Sequence, residues 1–336
     1  MTETVGIAGL GTYFPPKVET AADLVAVTNI PEDILREKMG IRQRHIAEEA
    51  DSVTHMATEA AQRALSDAAV SAEQVNLVVS HGSEHKDHLI WNAAAKIQQN
   101  LGAVNAYAFE MYALCAGAPI AMNMAKGMML NDPSLEYVML AAASRENDMV
   151  NLRNMRSRFM FNFGAGGGAM LLRRNSDRNL ILGSAAYTDA TLSESVILTD
   201  EAVGDEQPIQ GDLKGRLDVT DPAYMSERLG EVSLDNFLRV MGEALAKSDA
   251  TFDDVAFLGI THMKRSFFNL IIEQVGLTQE QAIYLHDYGH IQSVDQVLAL
   301  ELGLKEGKIQ DGDLVLLVGA GTGYTWSATV VRWGPH

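Results

Sequence analysis

The chain has 336 residues, 47% of them hydrophobic and 21% charged, with a formal net charge of −18 and a single cysteine. That length and composition suit a sizeable folded core, built as two domains or two fused halves. The acidic balance argues against a bulk nucleic-acid binder, and no apolar run approaches the ~18 residues of a membrane span. One cysteine excludes an intramolecular disulfide framework and fits a reducing cytoplasm. The N-terminal stretch Met1-Thr-Glu-Thr-Val-Gly has no basic n-region, so no signal peptide is expected.

Residues 5–16 form a first strand ending in a turn. Gly9-Leu-Gly11 lacks the third glycine of a dinucleotide loop, and Tyr13-Phe-Pro-Pro stands where the helix should open. Short helices are expected over 21–27 and 31–39, then an extended basic connector, Gly40-Ile-Arg-Gln-Arg-His-Ile46. An amphipathic helix follows over 52–69, and a buried strand over 75–80. His81-Gly-Ser-Glu-His-Lys-Asp-His88 combines three histidines with two carboxylates, but at no accepted zinc spacing. A solvated loop lining a site entrance is expected there, and no metal.

A helix over 89–100 and a strand over 105–110 lead to Cys115. The Ala- and Met-rich stretch 118–130 is a buried helix, with Pro119 in its first turn, where a missing N–H costs nothing. Gly117 is expected to supply the sharp turn between strand and helix. Cys115 then sits at a helix N-terminus, where the dipole favours the nucleophilic thiolate. A lone cysteine is more commonly a small buried hydrophobe; the setting favours the nucleophile if matching groups occur elsewhere.

Residues 136–143 are a buried strand, and 145–158 carry Arg145, Arg153, Arg156 and Arg158, either a surface helix and loop or a patch for an anionic group. Phe161-Asn-Phe-Gly-Ala-Gly-Gly-Gly-Ala is a glycine-rich turn entering a strand, with another strand at 180–187. The acidic stretch 188–221 reads as a lid or edge insertion. Then come a long helix over 225–247, a strand over 255–261, a helix over 266–275, and a loop running into a helix over 285–300. Strands at 314–318 and 327–332 flank Gly319-Ala-Gly-Thr-Gly-Tyr-Thr-Trp326. The two glycine turns echo one another, and each closes an alternation of strands and helices. Two α/β halves built alike, 1–175 with the cysteine and 176–336 with the candidate histidines, is the economical reading.

A cysteine nucleophile needs a base or cationic partner. His262 ends a buried strand, where α/β folds place their sites, although a lone histidine is by default a satisfied core residue. His286, His290 and Asp295 follow about 30 residues on, at the loop-to-helix entry. Asp295 also has the plainer reading of a helix-terminus acid favoured by the macrodipole.

Together these motifs resemble the ketoacyl-ACP synthase III branch of the thiolase superfamily, nearly end to end. The resemblance rests on residues 40–46, Cys115-Ala-Gly, Phe163-Gly-Ala-Gly-Gly-Gly-Ala169, His262, Tyr288-Gly289 and 319–326. It implies a five-layered αβαβα fold of two pseudo-repeated halves, usually a homodimer, and an acyl group carried on the cysteine from acyl-CoA or an acyl carrier protein. By the resemblance Cys115 is the nucleophile and His262 the first catalytic histidine. The backbone N–H groups of Cys115 and Thr322 match the oxyanion hole, which would stabilise the charge that develops as the thioester is attacked. No cofactor is implied; an acyl-phosphopantetheine thioester is the co-substrate.

This chain departs from the condensing members. His290 stands where they carry an asparagine, and the family's His-Gln-Ala-Asn is here His262-Met-Lys-Arg265. The pattern Gly-His290-x4-Asp295 resembles a sub-branch that transfers acyl groups to hydroxyl or amine acceptors through a Cys-His-Asp triad. A carboxylate on His262 would fix its tautomer and raise its basicity, so it could deprotonate such an acceptor. The tryptophan that stacks on CoA adenine is replaced by Ile34, which favours a carrier-protein donor. Lys264 and Arg265 could receive an acidic carrier or a phosphopantetheine phosphate, or be plain solvated charges. Ile90 and Trp91 fall where the family gates the acyl pocket across the dimer. Three functions follow: heteroatom acyl transfer in a specialised biosynthetic pathway, decarboxylative Claisen condensation with malonyl-ACP using His262 and His290, and a non-catalytic partner subunit. Intact Cys115, His262 and the glycine turn favour the enzymes.

Overall fold

Caps and periodicity set the helices in the computed structural model, which describes residues 3–82, 84–199 and 215–336. Helix α1 (Ala21–Thr28) is closed by a Thr20/Asp23 capping box. Helix α2 (Val53–Ala68) is capped by Ser52, whose hydroxyl accepts from the His55 N–H. Asn92 caps α3 (Ala93–Leu101), and Gly102 ends it in the left-handed conformation. Helix α4 (Gly117–Asn131) buries Ala118, Ala121, Met122, Ala125 and Met129. Helix α5 (Pro222–Ala246) opens on Asp221 and Pro222, and α6 (Arg265–Gln274) and α7 (Asp295–Lys305) complete the set.

The strands are β1 (Val5–Tyr13), β2 (Val18–Thr20), β3 (Gln43–His45), β4 (Leu77–Ser80), β5 (Tyr107–Glu110), β6 (Tyr137–Ser144), β7 (Gly166–Arg174), β8 (Arg178–Thr188), β9 (Val196–Thr199), β10 (Arg216–Val219), β11 (Val255–Ile260), β12 (Leu314–Gly321) and β13 (Thr325–Pro335). Among the described residues, nine of them run in the order β11-β12-β13-β8-β1-β7-β6-β4-β5. The middle of that order is held by one pair, Gly6 opposite Leu180, so the ribbon is two sheets meeting at a seam. One sheet takes its strands from residues 5–174, the other from 178–335.

Side-chain packing defines the layers. Helices α2 and α3 cover the outer face of the first sheet through Met56, Ala60, Ala64 and Ile97. Helices α5 and α6 cover the outer face of the second through Phe237, Met241, Phe268 and Ile271. Between the sheets, α4 and α7 bring Met122, Met129, Val297 and Leu300 against Leu140, Leu172 and Leu317. This is a five-layered αβαβα fold of two like halves. The two central helices are the ones that carry Cys115 and Asp295 at their N-termini, which places any site they form at the seam. The acidic stretch 188–221 lies partly outside the described residues; within them β9 and β10 pair antiparallel, Val196 opposite Val219.

Candidate active site

Cys115 is 4% exposed and occupies a 3₁₀ turn, Leu114–Ala116, that runs directly into α4. The chain reverses at Leu114, whose φ of 49° is a left-handed conformation costly to a leucine. The sharp turn expected at Gly117 is therefore three residues earlier. Gly117 is helical, with φ −65°, and its role is close approach. A Cβ there would lie 2.9 Å from the His81 carbonyl oxygen and 3.2 Å from Ser293 Cβ. On the opposite side the end of β12 presses on the same turn: a Cβ on Gly321 would meet the Cys115 nitrogen at 3.0 Å. Thr322, half-buried, follows at the turn between β12 and β13.

The loop ahead of α7 is held by the other half of the molecule. The His290 N–H donates to the Asn162 carbonyl at 2.8 Å, and the Gly164 N–H donates to the His290 carbonyl at 2.9 Å. Arg44, 3% exposed, donates to the Phe161 and Phe163 carbonyls at 2.9 Å each and pairs with Glu19. The Arg42 and Gln43 N–H groups donate to the His286 carbonyl. Connector 40–46 and the glycine-rich turn are thus a clamp on the histidine loop.

So held, His290 lies between Cys115 and Asp295. Its Nε2 is 3.0 Å from Cys115 Sγ, and its Nδ1 is 2.6 Å from Asp295 Oδ2. The Ile291 N–H donates to Asp295 Oδ1 at 2.7 Å, and the His262 backbone N–H donates to Oδ2 at 2.7 Å. Phe163 stands edge-on to the His290 ring at 5.2 Å. Burial pushes the His290 imidazole down. The Asp295 carboxylate, and then Cys115, more than reverse this, and the net direction is well above 6.5.

The expected arrangement, with Asp295 orienting the His262 ring, is not the one found. Asp295 meets only the His262 backbone. The ring is engaged elsewhere: its Nε2–H donates to the Gly40 carbonyl at 3.0 Å, and it packs on Tyr284 at 4.6 Å between centroids. Its Nδ1 is buried with no hydrogen-bond partner among the described residues. Burial is the main cause that lowers the His262 imidazole to about 4, which keeps it neutral. The reason is positional. His262 lies two residues beyond β11, where its main-chain N–H meets the Asp295 carboxylate, and the loop ahead of α7 places the His290 ring beside Sγ.

One residue at the nucleophile escaped the sequence reading. Gln292, 3% exposed, places Oε1 2.6 Å from Cys115 Sγ. Its neighbours Ser293 and Gln296 are fully buried. Ser293 donates to the His81 carbonyl at 2.8 Å, and Gln296 Nε2 donates to Thr261 Oγ1 and the Val318 carbonyl at 2.9 Å each. The available signal was compositional: His290, Gln292, Ser293, Asp295 and Gln296 crowd a helix entry that is otherwise apolar. Such polar density is unusual in a core unless every member has work to do.

The other expected positions separate. Lys264 is exposed at the start of α6, and Arg265 lies over the Tyr284 ring at 3.6 Å with Nη2 3.3 Å from His286 Nδ1. Arg42 adds an ion pair with Asp287 to the same rim. Ile34 is half-buried in a single π-helical turn, Ile34–Lys38. Ile90 is fully exposed with φ 50°, and Trp91 packs against His88. The 81–88 stretch is less solvated than expected. His81 is 0% exposed with Nδ1 3.2 Å from Ser293 Oγ, and His85 is 2% exposed with its N–H donating to Glu146 Oε1. Among the described residues no group of three His, Cys, Asp or Glu side chains could hold a metal ion. Arg145 is spent internally on Asp148 and the Glu48 and Asp51 carbonyls, and Arg156 on the Val219 carbonyl; Arg153 and Arg158 are exposed. No helix among the described residues is long and apolar enough to cross a membrane.

Residues 109–190 match the family model "3-Oxoacyl-[acyl-carrier-protein (ACP)] synthase III", and residues 245–333 match its C-terminal counterpart. The beta-ketoacyl-[acyl-carrier-protein] synthase III 1 of Bacillus anthracis is 30% identical over 333 residues, covering 98% of this chain and 99% of the relative. The corresponding Synechocystis sp. protein is 27% identical over 329 residues, 97% of each chain. The crystal structure of 3-oxoacyl-[acyl-carrier-protein] synthase III from Aquifex aeolicus superposes with a TM-score of 0.84 at 26% identity, covering 98% of this chain and all of that one.

Proposed function

The chain belongs to the ketoacyl-ACP synthase III-like proteins of the thiolase superfamily, and on that premise we propose that it is an acyltransferase with a Cys115–His290–Asp295 triad. Cys115 takes an acyl group from an acyl-ACP, or acyl-CoA, thioester. His290 then draws the proton from a hydroxyl or amine acceptor as the acceptor attacks the acyl-cysteine. Asp295 holds the His290 ring and stabilises its protonated form. The backbone N–H groups of Cys115 and Thr322 receive the oxyanion in both half-reactions. No cofactor takes part; the phosphopantetheine thioester is the co-substrate.

The single observation that carries this reading is the position of His290, 3.0 Å from Sγ and 2.6 Å from a carboxylate. A carboxylate on Nδ1 makes Nε2 the basic nitrogen, which suits deprotonation of an acceptor. Condensation asks for something else, two neutral donors to steady an enolate formed by decarboxylation. The Nε2–H of His262 is already committed to the Gly40 carbonyl. The second reading, decarboxylative condensation with malonyl-ACP, is favoured by the names of the relatives. It remains the alternative that the experiment decides; a non-catalytic subunit is the weakest reading.

The donor is proposed to be a carrier protein arriving at Lys264 and Arg265, with Arg42 nearby. The chain is proposed to work as a homodimer. Strand β5 ends the nine-stranded order, and exposed Leu89, Ile90, Tyr107 and Tyr112 lie along it and its flanking loops.

Incubation with acyl-ACP or acyl-CoA is expected to add one acyl mass to the wild type and none to Cys115→Ala. The acylated enzyme is then given malonyl-ACP or a panel of alcohols and amines. An ester or amide product supports heteroatom transfer; carbon dioxide with a 3-oxo product replaces it by condensation. A wild type that never acylates points to the partner-subunit reading.

A further inference from the structure

We propose that Gln292 is a further catalytic residue, an amide whose two ends serve Cys115 in its two protonation states. The inference rests on the acyl-transfer reading for its role in turnover, but its effect on the thiol is independent of any substrate.

Three observations meet at this side chain. Its Oε1 lies 2.6 Å from Sγ, in direct contact with the reacting atom. It is 3% exposed, so no solvent competes for that contact. Its backbone sits at φ 54°, a left-handed conformation that a glutamine adopts at a cost and that aims the side chain back at Cys115. Glycine would satisfy that backbone better, so a purely structural loop has no need of glutamine here.

The chemistry follows from what a primary amide can offer. Its oxygen accepts and its nitrogen donates, and rotation of the terminal amide exchanges the two in nearly the same shape. In the state described, Oε1 faces sulfur on one side and His290 Nε2 on the other, so a thiol has two acceptors for its one proton and Oε1 holds S–H whenever Nε2 is itself protonated. A thiolate in the same place would repel that oxygen, and the rotated amide would give it an Nε2–H instead. Hydrogen bonds to an ion are stronger than those to a neutral group, so the net effect of the amide is to favour the thiolate. The titratable groups that feel Cys115 are His290, Tyr112 and Tyr324, each of which it raises. A neutral tyrosine hydroxyl could also accept and donate, but among the described residues the side chains in hydrogen-bond contact with Sγ are His290, which carries the reaction's proton, and Gln292.

In the second half-reaction this matters most. The acceptor O–H or N–H loses its proton to His290 Nε2 as its heteroatom bonds to the acyl carbon. The tetrahedral oxyanion then collapses, the C–S bond breaks, and the electron pair leaves on Sγ. The departing thiolate meets the Gln292 Nε2–H and is reprotonated from the His290 imidazolium, which returns both side chains to the starting state. Gln292 thus makes cysteine a better leaving group without taking or giving a proton.

The test compares wild type with Gln292→Glu and Gln292→Gly. Glutamate keeps the shape and the accepting oxygen and, once ionised, cannot donate, so its profile is read on the alkaline side; glycine removes the side chain and relieves the backbone. Circular dichroism confirms the fold of each. The rate of Cys115 alkylation by iodoacetamide against pH reads the thiol directly. The expected result is a profile moved to higher pH in both variants, with alkylation at pH 7 at least tenfold slower in Gln292→Glu and about threefold slower in Gln292→Gly. Deacylation of pre-formed acyl-enzyme, followed by mass, should slow at least tenfold in Gln292→Glu. Alkylation profiles of both variants within twofold of wild type across pH 6–9 overturn the proposal, whatever the acceptor proves to be. A wild type that alkylates normally but never acylates defeats the acyl-transfer reading instead, and the alkylation profiles still decide Gln292.

Discussion

Two histidines share one carboxylate in this molecule, and they come out opposite. His290, on the loop ahead of α7, gives Asp295 its ring Nδ1; His262, just beyond β11, gives it only a backbone N–H. Both rings are buried, at 5% and 4% exposure, so burial pushes both imidazoles down. Only His290 gains a carboxylate hydrogen-bonded to its ring and a thiol at the other nitrogen, and its proton affinity rises well above the usual value. His262 faces a neutral carbonyl and an aromatic ring, and falls to about 4. Proximity in the chain or in space does not assign a catalytic histidine; the atom that makes the contact does.

The comparison breaks most readily at His290. His290→Ala removes the proposed base together with the ring that Asp295 holds, and acyl transfer to the acceptor is expected to fall by on the order of 10³ or more. Single-turnover transfer from pre-acylated enzyme measures this. A loss of less than tenfold would return the base role to His262. Asp295→Asn keeps the size of the side chain and removes its charge. It is expected to cost on the order of 10² or more, with the rate maximum displaced, because His290 no longer has a carboxylate to favour its charged form. A pH–rate profile of Asp295→Asn that superposes on wild type would sink the triad.

The two histidines should also part in stability. His262 and His81 are both lowered from 6.5 to about 4 in the folded chain, chiefly by burial. Between those values the unfolded chain binds more protons, so their contribution is present above pH 6.5 and lost as pH falls toward 4. Each is worth about 3 kcal/mol if it titrates fully. His290, raised, acts in the other sense: its contribution is complete below 6.5 and lost as pH rises through its folded value. Urea unfolding at pH 4.5 and 6.5 should show stability rising with pH, and His262→Phe should flatten that rise. An unchanged slope in the variant would mean that His262 is not held neutral.

Much of this architecture was legible in the sequence because it rests on local rules. Ser52 before an apolar period marks α2, and Pro119 in an Ala/Met run marks the first turn of α4. The paired glycine turns announced two like halves. Cys115 ahead of a helix needed only adjacency. Ring direction needs more. His262 was readable as a strand end, but nothing in Gly259-Ile-Thr-His shows that the ring would turn to Gly40, 222 residues away. His290 owes its place to Asn162 and Gly164, and Gln292 to a left-handed backbone that no spacing encodes. Those are long-range contacts and a local strain, and sequence periodicity carries neither. The buried His81 and His85 show the same limit, since a polar run looks like a solvated loop until Ser293 and Glu146 arrive from elsewhere.

The finest test is therefore His262→Phe, where the resemblance and the geometry disagree most. By resemblance this histidine is a catalytic residue, and its loss should remove activity much as His290→Ala does. By geometry its ring touches Gly40 and Tyr284, and Cys115 is served from another direction. Phenylalanine keeps the ring packing, leaves the backbone N–H that donates to Asp295, and forfeits only the bond to the Gly40 carbonyl. Acyl transfer at pH 7.5 is expected to stay within about fivefold of wild type, a change of ~1 kcal/mol in barrier. The same variant assayed for condensation with malonyl-ACP separates the chemistries further, because a ring that steadies an enolate cannot be replaced by a hydrocarbon. A 10³-fold loss of heteroatom transfer in His262→Phe, with the fold intact by circular dichroism, would show that the His262 ring turns toward the substrate during turnover. It would also restore both histidines to the reaction.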